Sequence, residues 1–173
     1  MKYTWLILLP LLAACGSEEP KAKKKPLTQN EVNDFSGEMG KWDVTRQKDE
    51  IESYIKNHQW EMAETGTGLY YMYISKGTGK TNPTDGQFVK VSYEVYLLDG
   101  TVCYTSKDKG PRDVKVGQDY VESGLHEGLK LMKAGDKMRF ILPSHLAHGL
   151  TGDDDKIPPR ASVMYEIELL DIH

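Results

Sequence analysis

The sequence is poor in cysteine, carries no strong excess of charge and has no apolar run long enough to cross a membrane. Its formal net charge of −4 over 173 residues does not indicate a nucleic-acid partner, and the only basic run is Lys21–Lys25. With 39% apolar residues, the chain suits one ordinary domain with a proper core plus appendages, and hardly two domains.

The first fifteen residues are typical of a signal peptide. Lys2 precedes an apolar run from Trp5 to Leu12, which is broken by Pro10. That run has about half of the roughly twenty residues that a membrane-spanning helix needs. Residues 1–14 are therefore predicted to be a cleaved leader.

The leader ends in Leu12-Ala13-Ala14-Cys15, which resembles the lipobox of bacterial lipoproteins. In a lipobox the cysteine becomes the lipidated first residue of the mature protein, so Cys15 is the predicted lipidation site. Several acyl chains hold a protein durably on a bilayer, because each buried CH₂ contributes about 0.8 kcal/mol. A plain cleaved signal with an incidental Cys15 is the alternative. Acylation of Cys15 would leave Cys103 without a disulfide partner.

Three further segments follow the leader. Residues 15–41 are charged, contain proline and lack periodicity, which predicts a lipidated N-terminus followed by a flexible tether. Residues 42–67 are predicted to be a helical extension whose amphipathic helix is N-capped by Thr45. Residues 68–173 are expected to form the domain proper. The residues at helical spacing in the extension are Ile51, Tyr54, Ile55 and His58.

Alternation of apolar and polar residues after Gly68 predicts about five antiparallel strands and one late helix. Asp99-Gly100 is a strong hairpin signal between two of the strands. The helix, from Val121 to Met132, carries Gly124 and Gly128 on one face, although each glycine costs about 1 kcal/mol relative to alanine in a helix interior. We therefore expect a neighbouring segment to approach that face closely.

Several separated blocks of this domain stand in a characteristic order. They are VKVSYEVYLLDGTV at Val89–Val102, VGQDYVESGLHEGLKLMKAGDK at Val116–Lys137, and LPSHLAHG followed by IPPRASVMYEIELL. These blocks resemble the FKBP-type peptidyl-prolyl cis-trans isomerases. The resemblance implies an α+β fold, in which a curved antiparallel sheet of about five strands wraps on a short helix and an N-terminal helical extension precedes it. The lipobox, tether and extension are most similar to those of the gliding-motility-associated FKBP-type lipoproteins.

The implied activity requires a shaped, dry pocket more than a reactive side chain. An amide bond resists rotation by about 18–20 kcal/mol because resonance gives it double-bond character. Holding the bond twisted, with hydrogen bonds suited to the twisted amide, lowers that barrier. No cofactor or metal is expected, and the implied substrates are proline-containing polypeptide clients.

The resemblance places ten residues at the pocket, beneath a loop that runs from Ser144 to Ala161. That loop is longer than a bare connection between strands requires. Glu122 is expected to act through its backbone N–H, which would bind the substrate carbonyl. The catalytic residues are expected to be Tyr93, Tyr104, His148 and Tyr165. The substrate-binding residues are expected to be Cys103, Val114, Val121, Glu122, Leu125 and Ile157.

Five of these positions depart from the family pattern. Leu125 stands where most members have a tryptophan under the proline ring, and His148 where a tyrosine hydroxyl contacts the substrate. Cys103 replaces a phenylalanine, Tyr104 replaces an acidic residue, and Val114 stands near another aromatic position. A neutral imidazole still donates one hydrogen bond and would make binding pH-dependent near neutrality. We expect weaker catalysis on simple peptides with proline recognition retained.

The departures leave a second function open, namely an FKBP-like chaperone or binding module of a motility or secretion apparatus. The expected location is the bacterial cell envelope, on the periplasmic face of the outer membrane rather than the cell surface. A metal at Asp153–Asp155 or at His145 and His148 is disfavoured, because consecutive loop residues seldom converge and no cysteine lies nearby. A solvated loop tip is the expectation for the three aspartates.

Overall fold

The computed structural model describes residues 29–173, so the predicted leader, Cys15 and the first part of the tether lie outside these residues. Helix α1 spans Gln29–Asn57. The expectation of a tether up to residue 41 is therefore wrong from Gln29 onward. Thr45 is not an N-cap, because it lies inside α1 and its hydroxyl donates to the carbonyl of Lys41 at 3.0 Å.

A single antiparallel sheet follows α1. Its strand order is β1-β2-β6-β7-β3-β4, and β5 also pairs with β3. This confirms the α+β class, and the sheet exceeds the expected five strands because β1 and β5 are too short to show alternation. The elements are β1 Ala63–Glu64, β2 Tyr70–Ser75, β3 Phe88–Leu97, β4 Val102–Thr105, α2 Ser106–Lys109, β5 Arg112–Lys115, α3 Ser123–Leu131, β6 Lys137–Leu142, a 3₁₀ turn Ser144–Leu146 and β7 Val163–Ile172.

The hairpin between β3 and β4 forms where the sequence predicts it. The N–H of Leu97 donates to the carbonyl of Thr101 at 2.9 Å, and Asp99 accepts the N–H of Thr101 at 2.8 Å. Gly100 has φ 89°, a left-handed conformation that glycine adopts without steric cost. The turn chemistry thus fixes the register of β3 against β4.

Helix α3 packs on one face of the sheet, here called the inner face. A Cβ at Gly124 would lie 2.8 Å from Leu142, and a Cβ at Gly128 would lie 2.9 Å from Phe140. Only glycine permits this approach, which confirms the close contact expected from the sequence. The helix and the inner face enclose the main core, which includes the fully buried Leu129.

Helix α1 packs on the opposite, outer face of the sheet. Ile51 is fully buried there against Tyr70, Ile141 and Met164. Because strand residues alternate between faces, Ile141 points outward while its neighbours on β6 point into the main core. No helix among residues 29–173 combines the length and apolarity needed to cross a membrane.

Candidate functional site

A cavity of about 730 Å³ opens on the inner face, between the sheet, the start of α3 and the long loop that follows the 3₁₀ turn. Its floor consists of branched apolar side chains, which are contributed by β3, β5, α3 and β7. Such a surface is typical of a small-ligand pocket, in which apolar walls carry a few polar groups. The apolar floor residues are Val91, Val95, Val114, Leu125 and Ile167.

Eight of the ten expected site residues line this cavity. Cys103 and Ile157 do not, since they are only 1% and 2% exposed and belong to the main core behind the lining. Their expected contact with substrate is not supported by these positions, and Cys103 is a free, buried thiol. The eight lining residues are Tyr93, Tyr104, Val114, Val121, Glu122, Leu125, His148 and Tyr165.

A polar cluster lies in the lining of the cavity around the carboxylate of Glu122. The hydroxyl of Tyr165 donates to Oε1 of Glu122 at 2.5 Å. Nε2 of His148 lies 2.7 Å from the same oxygen, although the contact does not have the angles of a hydrogen bond. Burial raises the pKa of Tyr165 well above its ordinary value, and the adjacent Glu122 raises it further. Tyr165 is therefore a neutral hydrogen-bond donor at physiological pH.

A second polar group forms the rim, where Tyr104 meets the acidic loop. The Tyr104 hydroxyl donates to Asp153 in a short hydrogen bond and lies 3.3 Å from Asp155. Asp153 also accepts the backbone N–H groups of Asp155 and Ile157, at 3.0 Å and 2.7 Å. The prediction of a solvated loop tip is therefore wrong for Asp153, which ties the loop to β4.

These contacts set the charge state of the rim. Desolvation raises the pKa of Asp153, but hydrogen bonds from Tyr104, Ile157 and Asp155 outweigh it and lower that pKa to about 2. The same Tyr104–Asp153 hydrogen bond, with burial adding to it, raises the pKa of Tyr104. At neutral pH the rim is therefore a carboxylate held by a neutral phenol.

The start of α3 supplies a backbone donor to the cavity wall. Glu122 precedes the helix as its N-cap residue, with φ −59° and ψ 141°. Its carbonyl accepts the N–H groups of Leu125 and His126. Within residues 29–173 its own N–H has no hydrogen-bond partner. The binding of a substrate carbonyl by this donor stays a prediction.

Eight lining residues were not among the predicted site residues. Val91 and Val95 share the inner face with Tyr93. The two-residue alternation along β3 could therefore have predicted that they line the cavity. Tyr120 is fully exposed at the mouth and has no local signature in the sequence. No group of three or more metal-ligating side chains is found in the described part of the chain. The remaining missed residues are Arg112, Ala147, Asp153, Asp155 and Ile167.

The fold and the cavity together define a class of α+β protein in which an apolar pocket opens between an antiparallel sheet and a short helix. The chain belongs to the FKBP-type peptidyl-prolyl cis-trans isomerase family, whose model matches residues 79–170, more than half of the chain. The family resemblance of the sequence blocks is confirmed.

Similar proteins are known from bacteria and from a protozoan. A probable FKBP-type peptidyl-prolyl cis-trans isomerase FkpA of Neisseria meningitidis is 36% identical over 138 residues, which are 78% of this chain and 50% of that protein. The macrophage infectivity potentiator of Trypanosoma cruzi is 33% identical over 117 residues, 68% of this chain and 59% of that protein. The chain thus spans about half to three-fifths of the length of these two relatives.

A solved structure supports the fold directly. The crystal structure of FkpA from Escherichia coli superposes with a TM-score of 0.64 at 27% sequence identity. The match covers 84% of this chain and 73% of that one. It therefore extends beyond residues 79–170, since those residues are little more than half of the chain.

Proposed function

We propose that this protein is a peptidyl-prolyl cis-trans isomerase that assists protein folding in the bacterial cell envelope, where a lipid on Cys15 anchors it. Family membership and the names of its relatives support the isomerase activity. The lipobox-like ending Leu12-Ala13-Ala14-Cys15 supports the anchor and the location. The proposed substrates are proline-containing polypeptide clients.

The observation that carries the activity is that the cavity is open. Tyr104 is held aside at the rim by Asp153, and Leu125 forms part of the wall without filling the space. A prolyl ring on the apolar floor would place its preceding carbonyl within reach of the donor at the start of α3. The apolar floor would strengthen hydrogen bonds to the twisted amide, and this would stabilise the transition state relative to the planar ground state.

The activity is tested by the relaxation of an X-Pro peptide after a solvent jump. Micromolar protein should accelerate the relaxation, and Ala147→Phe should abolish the effect because Ala147 lines the cavity. Ala63→Phe is the matched control, since Ala63 is exposed on β1 at the far end of the sheet. A relaxation rate equal to that of buffer would reject the proposed activity.

The anchor is tested separately by labelling cells with radioactive palmitate. Label should enter the wild-type protein and be lost in Cys15→Ser. After fractionation, the wild type should be found with the outer membrane and the variant should be released in soluble form. Unchanged membrane association of Cys15→Ser would contradict the lipid anchor.

A second function, an FKBP-like chaperone or binding module of a motility or secretion apparatus, is favoured by the polar cluster in the cavity. The cluster contains the carboxylate of Glu122 and the imidazole of His148, next to the Tyr165 hydroxyl. A purely apolar pocket would suit a proline ring better than a pocket with these polar groups. Leu125 also gives less stacking area than an aromatic ring. Crosslinking that recovers one stoichiometric partner, together with a relaxation rate equal to buffer, would favour this function.

A further inference from the structure

A buried side chain of α1 contacts the start of the loop that covers the cavity. The amide of Gln47 is 2% exposed. Its Nε2 donates to Oγ of Ser144 at 2.9 Å, and its Oε1 accepts the N–H of Ser144 at 2.8 Å. A buried amide is costly unless it is paired, so this two-fold contact fixes α1 against the 3₁₀ turn.

A second residue of α1 contacts the other end of the loop. Oδ2 of Asp43 lies 3.4 Å from Nε of Arg160, and the Asp43 side chain is only 10% exposed. Asp43 and Gln47 are one helical turn apart, so they lie on the same face of α1. Arg160 has φ 61°, which is unfavourable for a residue with a Cβ and must be held by its surroundings.

The backbone of the loop joins these two ends. The carbonyl of Ser144 accepts the N–H groups of Ala147 at 3.0 Å and Gly149 at 2.8 Å. The carbonyl of Gly149 accepts the N–H of Arg160 at 3.0 Å. His148 lies between the two residues that Ser144 holds, so the position of its imidazole against Glu122 depends on this set of bonds.

We propose that α1 positions the loop 147–160 over the cavity, with Gln47 and Asp43 as the positioning residues that hold its two ends. Both residues precede the segment matched by the family model. The helical extension is then part of the site's architecture, because the loop and His148 are held in place from the opposite face of the sheet. The effect on substrate rests on the proposed isomerase function, whereas the effect on the loop does not.

Hydrogen–deuterium exchange of the full chain tests the loop itself. Gln47→Ala should raise the exchange rates of the Gly149, Gly152 and Arg160 amides by at least about tenfold, because the variant loses both buried hydrogen bonds to Ser144 and the opening equilibrium of the loop shifts accordingly. Amides of α3 and β3 should keep their wild-type rates. Asp43→Ala should act in the same direction, and Asp49→Ala, on an exposed residue of the same helix, should change nothing.

General loss of stability is separated from positioning by Ile51→Val, which weakens the packing of α1 without touching Ser144. The exchange rates of the loop amides in this variant should equal those of the wild type when each protein is measured at the same number of degrees below its own Tm. If Gln47→Ala left loop exchange at the wild-type rate, or raised it equally in α3, the positioning role would be refuted.

Kinetics give a second readout of the same proposal. KM for an X-Pro peptide should rise about threefold or more in Gln47→Ala with a smaller change in kcat, because a mobile loop must be ordered when the substrate binds. An unchanged KM in the presence of faster loop exchange would refute the link to substrate. If the wild type itself shows no isomerisation, the proposed function fails, and the exchange experiment still decides whether α1 positions the loop.

Discussion

The two faces of the sheet are built from alternating residues of the same strands, yet the helices that pack on them cover them differently. On the outer face, Ile51 of α1 packs against Ile141 and Met164, and part of that face farther along β7 is exposed at Leu170. On the inner face, the nine-residue α3 is drawn against β6 through Gly124 and Gly128 and covers only part of the surface. The uncovered part is the cavity. The main core and the cavity thus share the inner face, whereas α1 forms a smaller apolar cluster on the outer face.

The largest expected effect is a loss of stability that comes from the outer face alone. Ile51→Ala should lower the free energy of unfolding by about 3 kcal/mol, since it removes a fully buried side chain from a closed cluster. Urea unfolding measures this loss. The affinity of the folded protein for an X-Pro peptide should stay within about twofold. A large loss of affinity in the folded fraction would show that the packing of Ile51, and not only the polar contacts of Gln47 and Asp43, holds the loop over the cavity.

A pair of matched substitutions sharpens the comparison of the two helices. Gly128→Ala should destabilise the protein by about 1–3 kcal/mol, because the new methyl group would lie 2.9 Å from Phe140. Gly40→Ala, in α1 with no atom within 4 Å, should instead stabilise it by about 0.5–1 kcal/mol. Both values come from urea unfolding. The same sign for both changes would contradict the close packing of α3.

The polar cluster of the inner face is tested by Tyr165→Phe. This change removes the hydrogen bond to Glu122 and should cost about 1–2 kcal/mol, because a partly buried carboxylate then loses a donor. Peptide affinity should fall together with stability, since the cluster lies inside the cavity. Met164→Leu on the outer face is the control and should preserve affinity. Unaltered affinity in Tyr165→Phe would place this hydroxyl outside the recognition surface.

The smallest effect is expected at the rim and depends on pH. Asp153 has a pKa of about 2 in the folded protein against 3.8 for an ordinary aspartate, so its contribution is fully present above the ordinary value. It is lost as the pH falls through the folded value. Asp153→Asn should therefore cost about 1 kcal/mol at neutral pH, after discounting for solvent screening, and progressively less below the ordinary pKa.

Acid-dependent unfolding of both proteins checks this prediction. The difference in unfolding free energy between wild type and Asp153→Asn should be constant near neutrality and should shrink in acid. Asp154→Asn is the matched control, because Asp154 is exposed in the same loop and its left-handed φ of 60° is tolerated by asparagine. A difference that does not change with pH would contradict the role of the carboxylate charge.

Most of the domain could be predicted from local sequence signals. The Asp99-Gly100 turn predicts the β3–β4 hairpin, and Gly124 and Gly128 predict the close approach of α3. The start of α1 could not be predicted, because residues 29–41 show no apolar periodicity and contain Gly37. The composition of this segment therefore does not predict a helix.

The family resemblance predicted the site residues better than the patterning of apolar and polar residues did. Eight residues fall on the cavity, but Cys103 and Ile157 lie behind it, since a sequence position does not reveal depth below a surface. The contact between Gln47 and Ser144 joins residues 97 positions apart. No local pattern encodes such a pair, so it appears only when the chain is folded.

Methyl NMR during titration with an X-Pro peptide would show whether the peptide binds in the cavity on the inner face. The methyl groups of Val91, Leu125 and Ile167 line the cavity, whereas those of Ile51 and Ile141 are buried on the outer face. We expect saturable shifts at the methyl groups of Val91, Leu125 and Ile167 and none at those of Ile51 and Ile141. Shifts at the outer face, or no saturable shift in the cavity, would contradict this expectation.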